Sequence, residues 1–501
     1  MPGWLAHALL PRCSLNIRLG STRSATSGVT PDRAPWLTDD NVPAVMLLLV
    51  FAGLASTIPP QSDTFFHLRS GLAMWESGWF LTRELFSHTA YGQPLHNHWW
   101  LSQLLFYGLF KLGGPVLLTL ATGLCGFTAL LMSWRLFRGS SEANVVLLFA
   151  VFLVVPWTWS LRPQVFSMLL LMIVLRLALA DRLLWILPVL VLWANSHALV
   201  IFGVAITGLV AFEALIWSRQ GATRSLLVAI AAAAMPMISP LGWHYWPRVV
   251  ETVRESRTLG IIEYRSAFAF GDESWGIWLM VIGFVAVALR SVRTLAARDR
   301  DDRILTLATA LFAVAAIVSV RNGAFLALVA APTLSRLLPA AERKRVRTAP
   351  RPALALLALT ALGIAGLSTY RWRSNGLHLG WQPMAPAAIE AVRHCPDPLY
   401  NEFGTGGTLS WLVPERRIFI DGRVEAYPAA FLRRATSAEL TGDYKPLFAE
   451  YGIRCAILRT ESKPAIALRS DPSMRPVFDD GEWVIFAGAE PAGSVARAAV
   501  R

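Results

Sequence analysis

Asp63 and His67 lie four residues apart in a polar segment that follows the first long apolar stretch of the chain. On a helix this spacing places both side chains on one face, where they could share a proton or a metal ion. A carboxylate there could also take the proton of an attacking hydroxyl group, as a general base does. A simple pair at a helix end is the alternative interpretation, and we favour the catalytic one.

Arginines and polar side chains interrupt later apolar stretches in the same way. Arg162 precedes Pro163, Arg321 precedes Asn322, and Arg265 ends the triplet 263–265. A guanidinium group binds a phosphate with two parallel hydrogen bonds, so the three arginines are candidate phosphate ligands. They could instead be anchors at the membrane surface. Candidate substrate-binding residues are Asn195, His98 and His197, for which interfacial packing or a hydrogen bond between helices is the alternative.

Membrane helices must position these residues. Of the 501 residues 54% are hydrophobic and 16% are charged, whereas soluble domains average about 25% charged residues. The chain carries 20 Trp and 25 Phe, which excludes a soluble nucleic-acid-binding protein despite the net charge of +13. Four cysteines form neither a disulfide framework nor a zinc pattern, although Cys395 and Cys455 could pair outside the cell.

A helix needs roughly 20 apolar residues to cross a bilayer, because lipid offers no partner for backbone polar groups. About eleven segments fit this rule, so the fold class is a polytopic α-helical membrane protein. The pair around Asn195 could instead be one long kinked element. The predicted spans are 42–58, 115–134, 143–160, 164–180, 183–199, 200–217, 225–241, 275–290, 304–320, 323–339 and 352–369.

The basic residues indicate how the chain is oriented. With eleven spans, every Arg-rich segment falls on one side, and the positive-inside rule makes that side cytoplasmic. We therefore expect a disordered cytoplasmic segment over 1–40, a transmembrane domain over 41–370 and a first external loop over 59–114. The Arg-rich segments used for this orientation contain Arg12, Arg18, Arg23 and Arg33; Arg135 and Arg138; Arg182; Arg219 and Arg224; Arg290 to Arg303; and Arg343 to Arg351.

Residues 371–501 are then outside the membrane, and their pattern predicts a small extracytoplasmic α/β domain. Short strands are predicted over Leu399–Phe403, Arg417–Ile420, Cys455–Leu458 and Trp483–Ala487, with helices over Pro428–Leu440 and Asp443–Tyr451. The run 404–407 could be a ligand loop but is more typical of a tight turn.

Several motifs resemble those of a known family. The stretch Asp63 to Leu68 with Gly71, the stretch Phe86 to Thr89 and the stretch His98 to Leu101 resemble bacterial integral-membrane glycosyltransferases of the GT-C superfamily. Within that superfamily, the motifs resemble the dolichyl-phosphate-mannose-protein mannosyltransferase-like and RgtA/B/C/D-like branch. Further matching motifs are Arg162–Gln164, Trp193–His197, Arg321–Asn322, Asn401–Gly407 and Phe419–Arg423.

The resemblance implies an inverting membrane glycosyltransferase of the bacterial inner membrane, which moves a sugar from a polyprenyl-phosphate donor to an external lipid, glycan or protein. Its partners would be that donor and membrane lipids, with no nucleic acid. Asp63 matches the acidic residue that acts as base or metal ligand in this family, which implies a divalent Mg or Mn cofactor. Gln61 stands where a second acidic residue is expected, which weakens the metal prediction; Glu84 and Glu263 are the next candidate bases.

Two other functions fit a protein of this class. A lipid-linked glycan transporter would need charged residues at the centres of its spans, and the predicted centres are apolar. A non-catalytic assembly or binding protein would use the external domain alone. We therefore expect a transferase.

Overall fold

The computed structural model describes residues 38–155, 159–258, 262–269, 274–338, 348–374 and 379–488. The disorder predicted for residues 1–40 falls almost wholly outside this range, as do all four basic residues between Arg343 and Arg347.

Helices form most of the described chain, and every predicted apolar segment contains one. Their apolar stretches are long enough to bury against neighbouring helices over several turns. In the first 374 residues the helices are α1 (Val42–Ala55), α2 (Ser62–Ser77), α3 (Trp100–Trp134), α4 (Ser141–Val154), α5 (Gln164–Leu179), α6 (Ile186–Ala194), α7 (Val200–Glu213), α8 (Ala222–Ala234), α9 (Tyr245–Thr258), α10 (Trp275–Ser291), α11 (Arg300–Val318), α12 (Gly323–Leu337) and α13 (Arg351–Ser374).

Three helices of the described residues are long and apolar enough to cross a membrane alone: Trp100–Trp134, Val200–Ser218 and Arg351–Ser374. A fourth candidate is the pair Ala222–Met237 and Gly242–Arg257, which is bent by 105°. Five further apolar helices, such as α1 and α5, are shorter than 18 residues. The eleven predicted segments are therefore helical, while the count of eleven spans stays a prediction.

Ion pairs gather the predicted cytoplasmic segments at one end of the bundle. Arg138 after α3 pairs with Asp299 before α11 at 3.4 Å, and Arg300 pairs with Asp181 after α5 at 3.3 Å. Arg224 in α8 also contacts Asp181, at 3.2 Å. Segments that the positive-inside rule assigns to one side thus lie together in space.

The C-terminal region is a small α/β domain, as predicted. Its strands β1 (Leu399–Asn401), β2 (Cys455–Arg459), β3 (Met474–Asp479) and β4 (Trp483–Gly488) form one sheet in the order β1-β2-β4-β3. Strands β1 and β2 are parallel and the other pairs are antiparallel. Its helices are α14 (Pro386–His394), α15 (Gly406–Leu412), α16 (Ala429–Thr441), α17 (Lys445–Tyr451) and α18 (Lys463–Leu468).

One predicted strand of this domain is absent among the described residues, and two of its cysteines form a disulfide. The predicted strand Arg417–Ile420 is wrong: Ile418 makes only an isolated parallel bridge with Ser87 of the first external loop. The backbone groups of Phe419 and Ile420 bond instead to the side chain of Asn401. Cys395 and Cys455 form a disulfide with a Cα–Cα distance of 5.7 Å. A disulfide is typical of an oxidising, extracytoplasmic compartment.

The first external loop is held on the domain by a buried ion cluster. Arg423 pairs with Glu84 of the loop at 2.7 Å and with Asp421 of the domain at 2.7 Å. All three side chains are at most 1% exposed. Glu84 also accepts hydrogen bonds from the backbone N–H groups of Phe86 and Ser87, each at 2.7 Å. We call Glu84, Asp421 and Arg423 the loop–domain cluster.

Candidate active site

A cavity of about 350 Å³ lies where the first external loop, the helix ends and the C-terminal domain meet. We call it the central cavity. Five residues that the sequence pointed to line it together, although up to 258 residues separate them along the chain: Asp63, His67, Arg162, His197 and Arg321. Residues of the domain, including Gly404 and Gly422, close its other side.

Helix α2 places Asp63 at the cavity wall. Asp63 lies in the first helical turn, where the positive end of the helix dipole favours a carboxylate. Thr64 fixes this end by accepting a hydrogen bond from the N–H of Gln61 at 2.9 Å and donating one to the carbonyl of Leu161 at 2.8 Å. Leu161 directly precedes Arg162, so the same contact brings the carboxylate and the guanidinium together.

The domain approaches Asp63 closely, and glycines make this approach possible. A Cβ atom on Gly422 would lie 2.7 Å from Asp63 Oδ1, and one on Gly407 would lie 2.2 Å from the carbonyl oxygen of Ser62. Real Cβ atoms essentially never come this close. The run 404–407 is a turn that leads into α15, as its pattern favoured, and α15 packs on the start of α2.

Four charged groups alternate across the cavity. Arg162 Nε lies 3.2 Å from Asp63 Oδ2, and its Nη1 donates a hydrogen bond to Glu263. Arg321 Nη1 lies 3.6 Å from Glu263 Oε2 and donates to the hydroxyl of Tyr264 at 2.8 Å. Two carboxylates and two guanidinium groups therefore balance, and all four are half-buried.

Burial and neighbouring charge set the protonation of these groups. Burial raises the pKa of Asp63, and Arg162 opposes this rise. Burial would also raise the pKa of Glu263, but Arg162 and Arg321 together hold it below its usual value. Asp63 is thus the more basic of the two carboxylates and the better proton acceptor.

Both histidines of the cavity are held by side chains behind them. His67 Nδ1 lies 3.4 Å from Gln103 Nε2, and burial lowers its pKa well below the usual value, so its ring is neutral. His197 Nδ1 lies 3.1 Å from Ser167 Oγ, while its Nε2 lies 3.5 Å from Arg321 Nη2. A neutral His67 can hydrogen-bond a substrate but cannot neutralise a phosphate.

Other predicted residues lie away from the central cavity. His98 lines a neighbouring cavity, and burial lowers its pKa to about 4. The Asn195 side chain accepts a hydrogen bond from Trp100 Nε1 at 2.8 Å and donates one to the carbonyl of Ile238 at 2.9 Å. These two bonds join helix ends and occupy the side chain. Arg265 has an exposed side chain and does not line the cavity.

Among the alternative bases, the structure separates Glu84 from Glu263. Glu84 is buried in the loop–domain cluster and does not line the cavity. Glu263 lines it and is the second carboxylate beside Arg162. A second carboxylate thus lies in the cavity with Asp63, but it comes from a different loop, which spacing within the first loop did not reveal. Tyr264 and Glu425 are further lining residues to which sequence reasoning gave no role.

The residues around Asp63 do not fit a divalent cation as they lie. Within the described parts of the chain, no group of three or more His, Cys, Asp or Glu side chains could hold a metal ion. Guanidinium groups contact the carboxylates of Asp63 and Glu263, and a bound cation would have to displace them. The Mg or Mn that the resemblance implies therefore stays a prediction.

Two solved structures share this architecture. The oligosaccharyltransferase of Archaeoglobus fulgidus in its apo form is 10% identical and has a TM-score of 0.51, covering 84% of this chain and 70% of its own. ArnT from Cupriavidus metallidurans in the apo state is 16% identical with a TM-score of 0.50, covering 90% of this chain and 97% of its own. No protein-family model matches the sequence, and no curated protein matches it.

These likenesses define the class of fold. The chain shares the fold of these two proteins, which agrees with the fold expected from its motifs that resemble the GT-C superfamily. The RgtA/B/C/D-like branch within that superfamily stays a prediction.

Proposed function

We propose that this protein is a membrane glycosyltransferase that moves a sugar from a polyprenyl-phosphate donor to an acceptor outside the cytoplasm. The observation that carries the proposal is the central cavity, where Asp63 and Glu263 alternate with Arg162 and Arg321. The shared fold with an oligosaccharyltransferase supports it. The bacterial inner membrane, with the C-terminal domain outside, is the location that the disulfide and the basic segments favour.

The charges suit transfer from a lipid phosphate. A sugar–phosphate diester carries one negative charge, and its phosphate becomes more negative as the bond to the sugar breaks. Arg162 and Arg321 can stabilise that growing charge in a half-buried site, where such donors count for more than in water. Phosphate binding would also draw Arg162 away from Asp63, which frees the carboxylate for proton transfer.

Asp63 then serves as the base for the acceptor. The acceptor hydroxyl oxygen attacks the sugar carbon, the carbon–oxygen bond to phosphate breaks, and the bonding electrons leave with the phosphate. The hydroxyl proton passes to Asp63, whose pKa burial raises. A single displacement of this kind inverts the configuration at the sugar carbon. His67 and His197 would hydrogen-bond the sugar or the phosphate from the cavity wall.

The test is binding and transfer with Arg162→Gln and Arg321→Gln. Hydrogen bonds to charged groups contribute about 1.5–3 kcal/mol each, so each variant should bind undecaprenyl phosphate about 10- to 100-fold more weakly. Transfer from an undecaprenyl-phosphate hexose should fall at least as far. Arg434→Gln is the matched control, because Arg434 pairs with Glu450 on the exposed surface of the domain. Binding by both cavity variants within twofold of wild type would contradict the proposal.

A further inference from the structure

A second cavity adjoins the central one on the side of the C-terminal domain. Its volume is about 380 Å³, within the range of small-molecule sites in proteins. Thr252 and Glu425 line both cavities, so the two spaces are neighbours across a shared wall. We call this space the outer cavity.

The outer cavity differs from the central one in its chemistry. One wall is helix α9, whose residues 248, 251, 252 and 255 recur at the spacing of a single helix face. Arg248 and Glu251 pair with each other there at 2.7 Å. The outer cavity is thus lined by one guanidinium group, already paired, where the central cavity is lined by two. Its mixture of donors and acceptors suits a neutral, hydroxyl-rich ligand better than a phosphate.

Glu425 stands at the wall between the cavities with one oxygen free. Its Oε2 is buried and has no hydrogen-bond partner within the described residues, and such a group is costly unless a ligand or water satisfies it. Burial raises the pKa of Glu425 to about 8. Near neutral pH the carboxyl is therefore largely protonated, so it can both donate and accept a hydrogen bond.

We infer that the outer cavity binds the acceptor. The part of the acceptor that lies in this cavity is hydroxyl-rich and glycan-like, and Glu425 hydrogen-bonds one of its hydroxyl groups beside the central cavity. The inference rests on the proposed function. It assigns the donor phosphate and the acceptor to two cavities, with the reacting hydroxyl delivered at their shared wall.

A third cavity, of about 460 Å³, is the competing acceptor site. It shares Ser62 and Gly404 with the central cavity. Its carboxylate, Glu402, already accepts a hydrogen bond from the N–H of Arg459 at 3.2 Å. A partnered carboxylate offers less to a ligand than Glu425 does, so the structure favours the outer cavity. Glu402 and Arg459 provide matched controls.

The first experiment compares Glu425→Ala, Glu425→Gln and Glu402→Gln in native membranes, which supply the acceptor, with a labelled undecaprenyl-phosphate hexose as the donor. Loss of one net hydrogen bond should lower transfer by Glu425→Ala about five- to tenfold. Glu425→Gln should retain more transfer, because an amide replaces a neutral carboxyl in shape and in hydrogen bonding. Binding of undecaprenyl phosphate by each purified variant should stay within twofold of wild type.

The second experiment fills the cavity without relying on Glu425. Ala429 lines the outer cavity, so Ala429→Cys is labelled with a bulky maleimide and compared with Arg459→Cys, labelled in the same way in the third cavity. The label at position 429 should block transfer and leave binding of undecaprenyl phosphate intact.

Other outcomes would overturn the inference, and each would point to a different error. Normal transfer by labelled Ala429→Cys, or a block by the label at Arg459→Cys alone, would move the acceptor out of the outer cavity. Loss of undecaprenyl-phosphate binding would make the outer cavity part of the donor site. Wild-type protein that transfers no sugar would instead remove the proposed function, and this inference with it.

Discussion

Replacing Arg423 with Met should detach the first external loop from the C-terminal domain. The change keeps much of the side-chain length but removes the charge between Glu84 and Asp421, both of which are 0% exposed. Removing one partner of a buried ion pair leaves an uncompensated charge and typically costs about 3–5 kcal/mol. With two carboxylates left behind, Arg423→Met should lie at the upper end of that range.

Thermal unfolding of the purified full chain in detergent measures this effect. Burial raises the pKa of Asp421, and Arg423 opposes that rise. Without Arg423 the pKa of Asp421 in the folded protein climbs further above its unfolded value. The stability of the variant is therefore lost as the pH rises through that raised pKa, so its deficit against wild type should be larger at pH 8 than at pH 5.

Two comparisons with other variants test whether the loss of stability comes from the loop–domain cluster. Arg434→Met removes an arginine whose pair with Glu450 is exposed, and it should change stability little. Adding Glu84→Gln and Asp421→Asn to Arg423→Met removes the two buried carboxylates that lost their partner, and it should recover part of the lost stability. If Arg423→Met is no less stable than Arg434→Met, the cluster does not hold the loop on the domain, and the reasoning is refuted.

Three further predictions concern the site, the domain and the topology. Asp63→Asn should lower sugar transfer by about 10²–10⁴-fold with little change in melting temperature; transfer within a few-fold of wild type would point to Glu263 as the base. Burial raises the pKa of Glu439 to about 8, so its contribution to stability should fall as the pH rises from about 4.5 through 8. Thermal unfolding between pH 5 and 9 should show a flatter profile for Glu439→Gln, and equal profiles would contradict this. Reporters fused after Arg298 and after Ser374 should lie in opposite compartments, and a shared compartment would change the span count.

Much of the helical fold could be predicted because apolar length is a strong local signal. The sequence was less informative where elements lack that signal. Strand β3 has mostly exposed side chains, so its pattern does not stand out from a polar loop. Helix α3 is kinked at residues 113 and 114, whose backbone angles are non-helical. The helical part before this kink lies in the segment predicted as loop.

The candidate site was predictable to the extent that its residues interrupt apolar sequence. Asp63, Arg162 and Arg321 stand out as polar groups at the ends of apolar segments. Spacing does not tell which residue of a loop faces inward, so Arg265 was expected in the site, whereas Glu263 of the same loop lines the central cavity. Glu425 had no signal, because only the fold of the domain brings it to the wall between two cavities.

The parallel bridge between Ser87 and Ile418 has a consequence for biogenesis. A ribosome adds roughly 5–20 residues per second, so Ser87 waits some tens of seconds for its bridge partner Ile418 to be synthesised. During that interval most of the membrane helices are already synthesised, yet one wall of the central cavity is missing. The central cavity can therefore be completed only after the residues of the C-terminal domain that line it have been made.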